Sequence, residues 1–322
     1  MTTPHRMSLT EWGLLALLSL LWGGSFFFAK IAVTALPPLT VVLVRVALAA
    51  VALGLVLRLW GTPVPRSATL WRAFAGMGLL NNLIPFTLIF WGETVLSSGL
   101  ASILNATTPV FSLLVAHVLT TDDRLSAAKV AGVAIGLAGV VVLVGAEVLA
   151  EASGTVPAIL ACLGAALSYG FANVFGRRFR RMGIEPVVGA FGQVTATAAM
   201  MLPLALLADA PWRLAMPGAA VWLALAGLAL LSTALAYIIF FRLLASAGAS
   251  NTSLVTLLIP VSAVLLGVLL LGERVSAAQA VGMALIGLGL VAIDGRALER
   301  ARPSRGAAPA GTEATTSVVR PD

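Results

Sequence analysis

The chain has one cysteine, Cys162, and two histidines, His5 and His117, so neither a disulfide framework nor a multi-ligand His/Cys metal site can be built from it. Charge is also scarce. Asp, Glu, Lys and Arg make up 10% of the 322 residues, against about 25% in a soluble domain. No phosphate-binding Gly-Lys loop is present, which argues against ATP-driven transport by this chain alone. No Ser/His/Asp constellation marks an intramembrane enzyme, and no cofactor or metal is expected. What remains is apolar: 60% of residues are hydrophobic and the mean hydropathy is +1.03. A water-soluble globular fold is excluded, and a polytopic helical protein of the lipid bilayer is expected.

Apolar runs read as spans at roughly 12–29, 38–60, 73–91, 98–120, 128–146, 156–176, 187–207, 219–241, 249–271 and 277–295. Each comes close to the ~20 residues a crossing needs. The connectors are short, as in Pro37-Pro38, Thr121-Asp122-Asp123-Arg124 and Asp209-Ala210-Pro211. With ten spans and a cytoplasmic N-terminus, sixteen of the 20 Lys and Arg residues fall on the cytoplasmic side, among them Arg58, Arg66, Arg72, Arg177, Arg178, Arg180 and Arg181. Only Lys30, Arg213 and Arg274 fall outside, and Arg45 lies within a span. This asymmetry predicts a plasma (inner) membrane protein with both termini cytoplasmic. It also removes the nucleic-acid reading of the net charge of +7, because the basic residues are scattered loop anchors. Residues 297–322 turn to Ala, Pro, Arg, Ser and Thr and read as a disordered cytoplasmic tail.

The chain repeats itself. Asp-Arg-Leu-Ser-Ala-Ala-Lys-Val-Ala-Gly at 123–132 and Glu-Arg-Val-Ser-Ala-Ala-Gln-Ala-Val-Gly at 273–282 share five of ten positions. At nearly the same offset Pro109 matches Pro260, Pro38 matches Pro186, and Trp22-Gly23 ahead of Lys30 matches Tyr169-Gly170 ahead of Arg177. The units are 1–150 and 151–296, five spans each. An odd number of crossings makes the second copy enter the membrane from the opposite side, an arrangement typical of secondary transporters.

These residues resemble the drug/metabolite transporter superfamily, specifically its ten-span EamA-type members. The matching pieces are Trp22-Gly23-Gly24-Ser25 to Lys30, Pro38 with Arg45, Pro109, Asp123-Arg124, Pro260 and Gly272-Glu273-Arg274. The sequence departs from the pattern where Asp122-Asp123 stands against Gly272-Glu273 and where Gln193 stands against Arg45. The resemblance implies an all-α fold of two inverted five-helix repeats and a secondary transporter working by alternating access. Its cargo would be a small metabolite such as an amino acid or a related compound, with export as the expected direction. The alternative is a passive pore for small solutes, which lacks a charged or carbonyl-rich filter signature here.

Candidate residues follow from polarity inside spans, which hydrocarbon tolerates only when it faces protein or water. Pro109 and Pro260 lie mid-span and free the carbonyls of Asn105 and Thr256. Paired breaks of this kind point either to a midplane site or to kinks resatisfied by hydroxyls such as those of Thr107 and Thr108. The cavity candidates are Trp22, Asn81, Asn82, Trp91, Asn105, Tyr169, Asn173, Thr233, Tyr237 and Asn251; each is open to the simpler reading of an interhelical hydrogen bond. Arg45 either neutralises an anionic solute, pairs with Glu93 as a gate, or serves as a structural arginine. Lys30 and Arg177 end their helices, where a cation suits the helix dipole. Glu93 and Asp294 fall near span ends, so a deep carboxylate exchanging protons is not expected. Gly132, Gly136 and Gly139, echoed by Gly282 and Gly289, mark packing faces, within the chain or between the copies of a homodimer.

Overall fold

The computed structural model describes residues 7–120, 127–149 and 155–294. The 297–322 tail and the Thr121–Arg124 connector, with the first residues of the 123–132 repeat, lie outside them. Every regular element among the described residues is helical. The long helices, in chain order, are α1 (Leu9–Ala32), α2 (Pro38–Leu59), α3 (Ala68–Glu93), α4 (Ser98–Leu119), α5 (Ala127–Leu149), α6 (Thr155–Arg181), α7 (Pro186–Asp209), α8 (Ala219–Ala247), α9 (Val255–Leu271) and α10 (Ala277–Asp294), with a 3-10 turn at Pro211–Arg213 and a one-turn helix at Ala249–Thr252 ahead of α9. Seven of these, α1 to α4 and α6 to α8, are long and apolar enough to cross a membrane, and three shorter apolar helices fall in α5, α9 and α10. The 24 residues of α1 span about 36 Å at 1.5 Å per residue.

Local chemistry sets the helix starts. Ser8 and Glu11 form a capping box at α1: the Ser8 amide donates to Glu11 Oε2 at 2.8 Å, and the Glu11 amide donates to Ser8 Oγ at 3.3 Å. Pro38 and Pro186 open α2 and α7 at the first helical position, where a missing N–H costs nothing. The first turn of α2 is capped from far along the chain, with the Thr40 amide and hydroxyl donating to Asp209 Oδ2 at 2.8 and 2.7 Å. Gly272, with φ +68°, closes α9 in the left-handed conformation, which a side chain would disfavour.

The helices of one repeat pack chiefly on helices of the other, and the pairing is reciprocal. α1 lies against α9 and α8, as α6 lies against α4 and α3; α2 lies against α8 as α7 lies against α3. The equivalent helices α2 and α7, and α5 and α10, pack directly on each other. Both of these pairs are antiparallel. The start of α2 meets the end of α7 through Thr40 and Asp209. A Cβ on Gly139 would lie 2.8 Å from the Gly282 carbonyl oxygen, and one on Gly289 would lie 2.6 Å from that of Gly132. The glycine faces of the fifth helices are thus used within the chain. Exchanging the repeats restores the main helix contacts, and antiparallel pairing of equivalent helices is what two oppositely inserted copies would give.

Candidate functional site

The first and sixth helices carry the aromatic-glycine pairs, and both glycines mark close helix crossings. A Cβ on Gly23 would fall 2.6 Å from the Ser262 Cβ of α9, and one on Gly170 would fall 3.1 Å from the Ser112 nitrogen of α4. At the first crossing the Ser19 and Ser262 hydroxyls lie 2.6 Å apart. Trp22 and Tyr169, beside these glycines, are half-buried, and Trp22 packs on Phe240 at 5.3 Å between ring centroids.

The α-helical hydrogen-bond ladder widens to π turns at Leu79–Leu83 in α3 and Gly227–Leu235 in α8, which are equivalent helices. Such turns release backbone carbonyls and re-aim side chains, and they recur at functional sites. In α3 Pro85 removes the amide that would otherwise bond the Asn81 carbonyl, and Ser168 Oγ of α6 donates to the Leu80 carbonyl at 2.7 Å. In α8 the same task falls to Thr233, whose hydroxyl donates to the Leu228 carbonyl five residues back at 2.7 Å.

These turns direct a polar chain into the bundle. Asn81 Nδ2 donates to Gln193 Oε1 at 3.1 Å and to the Tyr237 hydroxyl at 3.3 Å. The Tyr237 hydroxyl donates to Asn82 Oδ1 at 3.2 Å, and Asn82 Nδ2 donates to Thr197 Oγ1 at 3.3 Å. Satisfied in series, such a network fixes the side chains that carry it.

Arg45 of α2 lies against this chain and is 4% exposed. Its guanidinium stacks 3.8 Å from the Phe86 ring centroid and 5.5 Å from that of Phe90, a cation–π arrangement strengthened by desolvation. Its Nε donates to Thr233 Oγ1 at 2.9 Å. The two terminal nitrogens make no hydrogen bond among the described residues. Tyr169, Tyr237 and Glu93 lie within its electrostatic reach. Among the described residues no ion pair joins it to Glu93, and the Glu93 carboxylate oxygens have no hydrogen-bond partner.

The end of the bundle that holds residues 93–99 is sealed. Lys30 Nζ donates to the carbonyls of Glu93 and Leu96 at 2.7 Å each, so it caps the end of α3 rather than only its own helix. Glu273, just past α9, accepts from the Ser98 amide at 2.7 Å, the Ser98 hydroxyl at 2.9 Å and the Gly99 amide at 3.1 Å. Towards the opposite end of α4 and α6 a cleft of about 190 Å³ opens between Ser112, Leu113, Ala116, Asn173, Val174 and Arg177.

Of the residues singled out in the sequence, Asn81, Asn82, Tyr169, Thr233, Tyr237 and Arg45 come together. Asn173 is exposed and donates to Ser112 Oγ at 2.8 Å in the open cleft. Asn251 donates to the Ala247 carbonyl at 3.0 Å, a local helix-turn contact. Trp91, 45% exposed, faces outward and is not brought to this cluster. Asn105 stands at the interruption of α4, its Oδ1 buried with no hydrogen-bond partner among the described residues. The break ahead of Pro109 is resatisfied by hydroxyls: Thr107 Oγ1 donates to the Leu104 carbonyl at 2.6 Å and Thr108 Oγ1 to the Asn105 carbonyl at 2.7 Å. Pro260 is buried within α9. Glu93 needs a correction. Although it ends α3, it is fully buried, because α1, α6 and the α3–α4 turn close over it. Sequence reasoning missed Thr197 and the aromatic pair Phe86 and Phe90; the four-residue spacings Gln193–Thr197 and Phe86–Phe90 were the available signals.

A bundle of apolar helices, repeated within one chain and holding a buried polar cluster between the repeats, defines the class: a multi-pass helical membrane protein with transporter architecture. The chain belongs to the EamA-like transporter family, whose model matches it twice, over residues 11–145 and 156–293. It is 28% identical over 273 residues to the uncharacterized transporter YoaV of Bacillus subtilis, covering 84% of this chain and 92% of that one. It is 29% identical over 301 residues to the uncharacterized inner membrane transporter YedA of Escherichia coli, covering 92% and 95%. Protein PecM of Dickeya dadantii is 28% identical, covering 84% and 88%. Among solved structures, a crystal structure is similar with a TM-score of 0.64 at 24% identity, over 92% of this chain and all of that one; this likeness concerns the fold. The protein is therefore a transporter, not an enzyme.

Proposed function

We propose that the protein is a secondary exporter of a small carboxylate-bearing metabolite, such as an amino acid or a related compound, in the plasma (inner) membrane. The two repeats alternate access to a site centred on Arg45. The observation that carries this reading is the Arg45 guanidinium, buried between the repeats with its terminal nitrogens unbonded and its flat face on Phe86. A buried cation calls for a complementary anion, and a guanidinium offers two parallel N–H groups to a carboxylate. The basic connectors support cytoplasmic termini. In that orientation the open Ser112–Asn173 cleft faces the cytoplasm, the side from which an exporter loads.

The test is counterflow in proteoliposomes with a panel of radiolabelled L-amino acids and their decarboxylated amines. Saturable exchange of carboxylate-bearing solutes is expected, with the amines excluded. Arg45→Gln should raise KM by about 10–100-fold, the loss of one charged hydrogen bond worth roughly 1.5–3 kcal/mol. Non-saturating flux through the wild-type protein would establish a passive pore instead.

A further inference from the structure

The chain has two tyrosines, Tyr169 and Tyr237, and both lie within electrostatic reach of the buried Arg45, Tyr169 the more strongly felt. Their hydroxyls differ in what they do. That of Tyr237 is engaged on both sides, accepting from Asn81 Nδ2 and donating to Asn82 Oδ1. The Tyr169 hydroxyl makes no hydrogen bond among the described residues, although its side chain is half-buried. The backbone that carries it is held on either side. Ser168 Oγ donates to the Leu80 carbonyl of the π turn at 2.7 Å, and Gly170 packs against the backbone of Phe111 and Ser112. One cluster therefore holds two sets of unspent donors: the terminal nitrogens of Arg45, which cannot accept, and a phenolic O–H. What complements both is a third group that only accepts.

The pairing occurs once in the molecule. Gln193 stands in the second repeat where the first has Arg45, and Trp22 stands in the first where the second has Tyr169. Gln193 accepts from Asn81 and Trp22 packs on Phe240, so the exchanged pair offers neither a cation nor an unspent hydroxyl. An ionised carboxylate is acceptor-only, with lone pairs to spare on both oxygens. A guanidinium fork bonds each oxygen once, and the remaining lone pairs still want a donor where water is scarce. We propose that Tyr169 is the second arm of the solute site: its hydroxyl donates to an oxygen of the carboxylate that the Arg45 terminal nitrogens hold. Tyr169 is then a specificity-determining residue, because a solute without the carboxylate leaves both arms unbonded. This inference deepens the transport reading above and rests on it.

The test uses the full-length protein, with the panel of L-amino acids as probes and two readouts. In detergent, bound solute raises the thermal denaturation midpoint, and the concentration needed for a given rise reports affinity. Tyr169→Phe removes an oxygen that bonds no described residue, so the midpoint without solute should hold. The concentration needed for the same rise should increase by about 10-fold or more, as for one hydrogen bond to a charged group. In proteoliposome counterflow KM should rise by the same factor with the maximal rate kept. Tyr237→Phe supplies the contrast: it strips bonds from Asn81 and Asn82 and should lower the midpoint without solute. Unchanged affinity and KM in Tyr169→Phe overturn the assignment of Tyr169 and leave the transport reading standing. So does a fall in both the solute-free midpoint and the maximal rate, the mark of a structural role. Wild type that binds amino acids without exchanging them removes the transport reading, and the midpoint shift still decides whether Tyr169 holds the carboxylate. Wild type that neither binds nor exchanges them removes both.

Discussion

Replacing Glu273 by Gln tests how firmly the sealed end is held. The carboxylate accepts three hydrogen bonds at the start of α4, two from backbone amides and one from the Ser98 hydroxyl. Charged hydrogen bonds are worth roughly 1.5–3 kcal/mol each, and an anion at a helix N-terminus adds about 0.3–1 kcal/mol. Water reclaims most of this when the end opens, and the Gln oxygen keeps one acceptor. A loss of about 2 kcal/mol of closing free energy is therefore expected, or about 30-fold in the closed-to-open ratio at 1.4 kcal/mol per tenfold. Gly267→Ala should do the same without removing charge, since its Cβ would run into Glu273 Oε2 and lie 2.8 Å from Ser98 Oγ. The assay is the rate at which a membrane-impermeant maleimide labels Leu96→Cys, a residue 2% exposed in the sealed turn, in a Cys162→Ala background. With the open form a minority, the rate follows its population and should rise by at least tenfold in both variants. Labelling that is unchanged or slower in both would falsify the idea that Glu273 holds this end shut.

Three further outcomes follow from the packing. Gly23→Ala should cost about 1–3 kcal/mol by overpacking and lower the thermal denaturation midpoint in detergent, because its methyl meets the Ser262 Cβ at 2.6 Å; an unchanged midpoint would contradict that helix spacing. Thr233→Val should be clearly destabilising in denaturant titration, as it strips a partner from both Arg45 and the Leu228 carbonyl. Thr195→Val should be near neutral beside it, since the Thr195 hydroxyl is buried without a partner; equal effects would refute the assignment. In a double-mutant cycle, Asn82→Leu and Tyr237→Phe should show a coupling of about 0.6 kcal/mol, the usual size for one interhelical bond in a membrane bundle. A coupling indistinguishable from zero would remove that bond from the polar chain.

Apolar length made the spans legible: a run such as 38–60 has no other stable option in lipid, and α2 occupies 38–59. The repeat was legible because duplicated residues such as Pro109 and Pro260 keep their spacing. What the residues did not announce were the π turns. A widened turn differs from an α-turn by one shifted hydrogen bond, and in α8 no proline marks it. Those turns let the consecutive residues Asn81 and Asn82 both join one polar chain, so residue types alone could list its members but not its order. Glu93 was misjudged for a related reason. Position along a helix gives depth in the bilayer, while enclosure depends on what neighbouring helices cover. Trp91 erred in the opposite direction, an aromatic near a span end that turns outward.

The cross-packing of the repeats has a consequence for how the chain is made. Arg45 is inserted 188 residues ahead of Thr233, its hydrogen-bond acceptor, and α1 finds its main packing partners in α8 and α9, α2 in α7 and α5 in α10. The first five helices must therefore wait in the bilayer, each correctly inserted but unfinished, until synthesis of the second five supplies their other faces. Contacts so distant in sequence make assembly slow relative to insertion. The sequence repeats are thus units of ancestry rather than of folding. Either half made alone should remain loose and protease-sensitive, whereas the two halves made as separate chains in one membrane should complete each other.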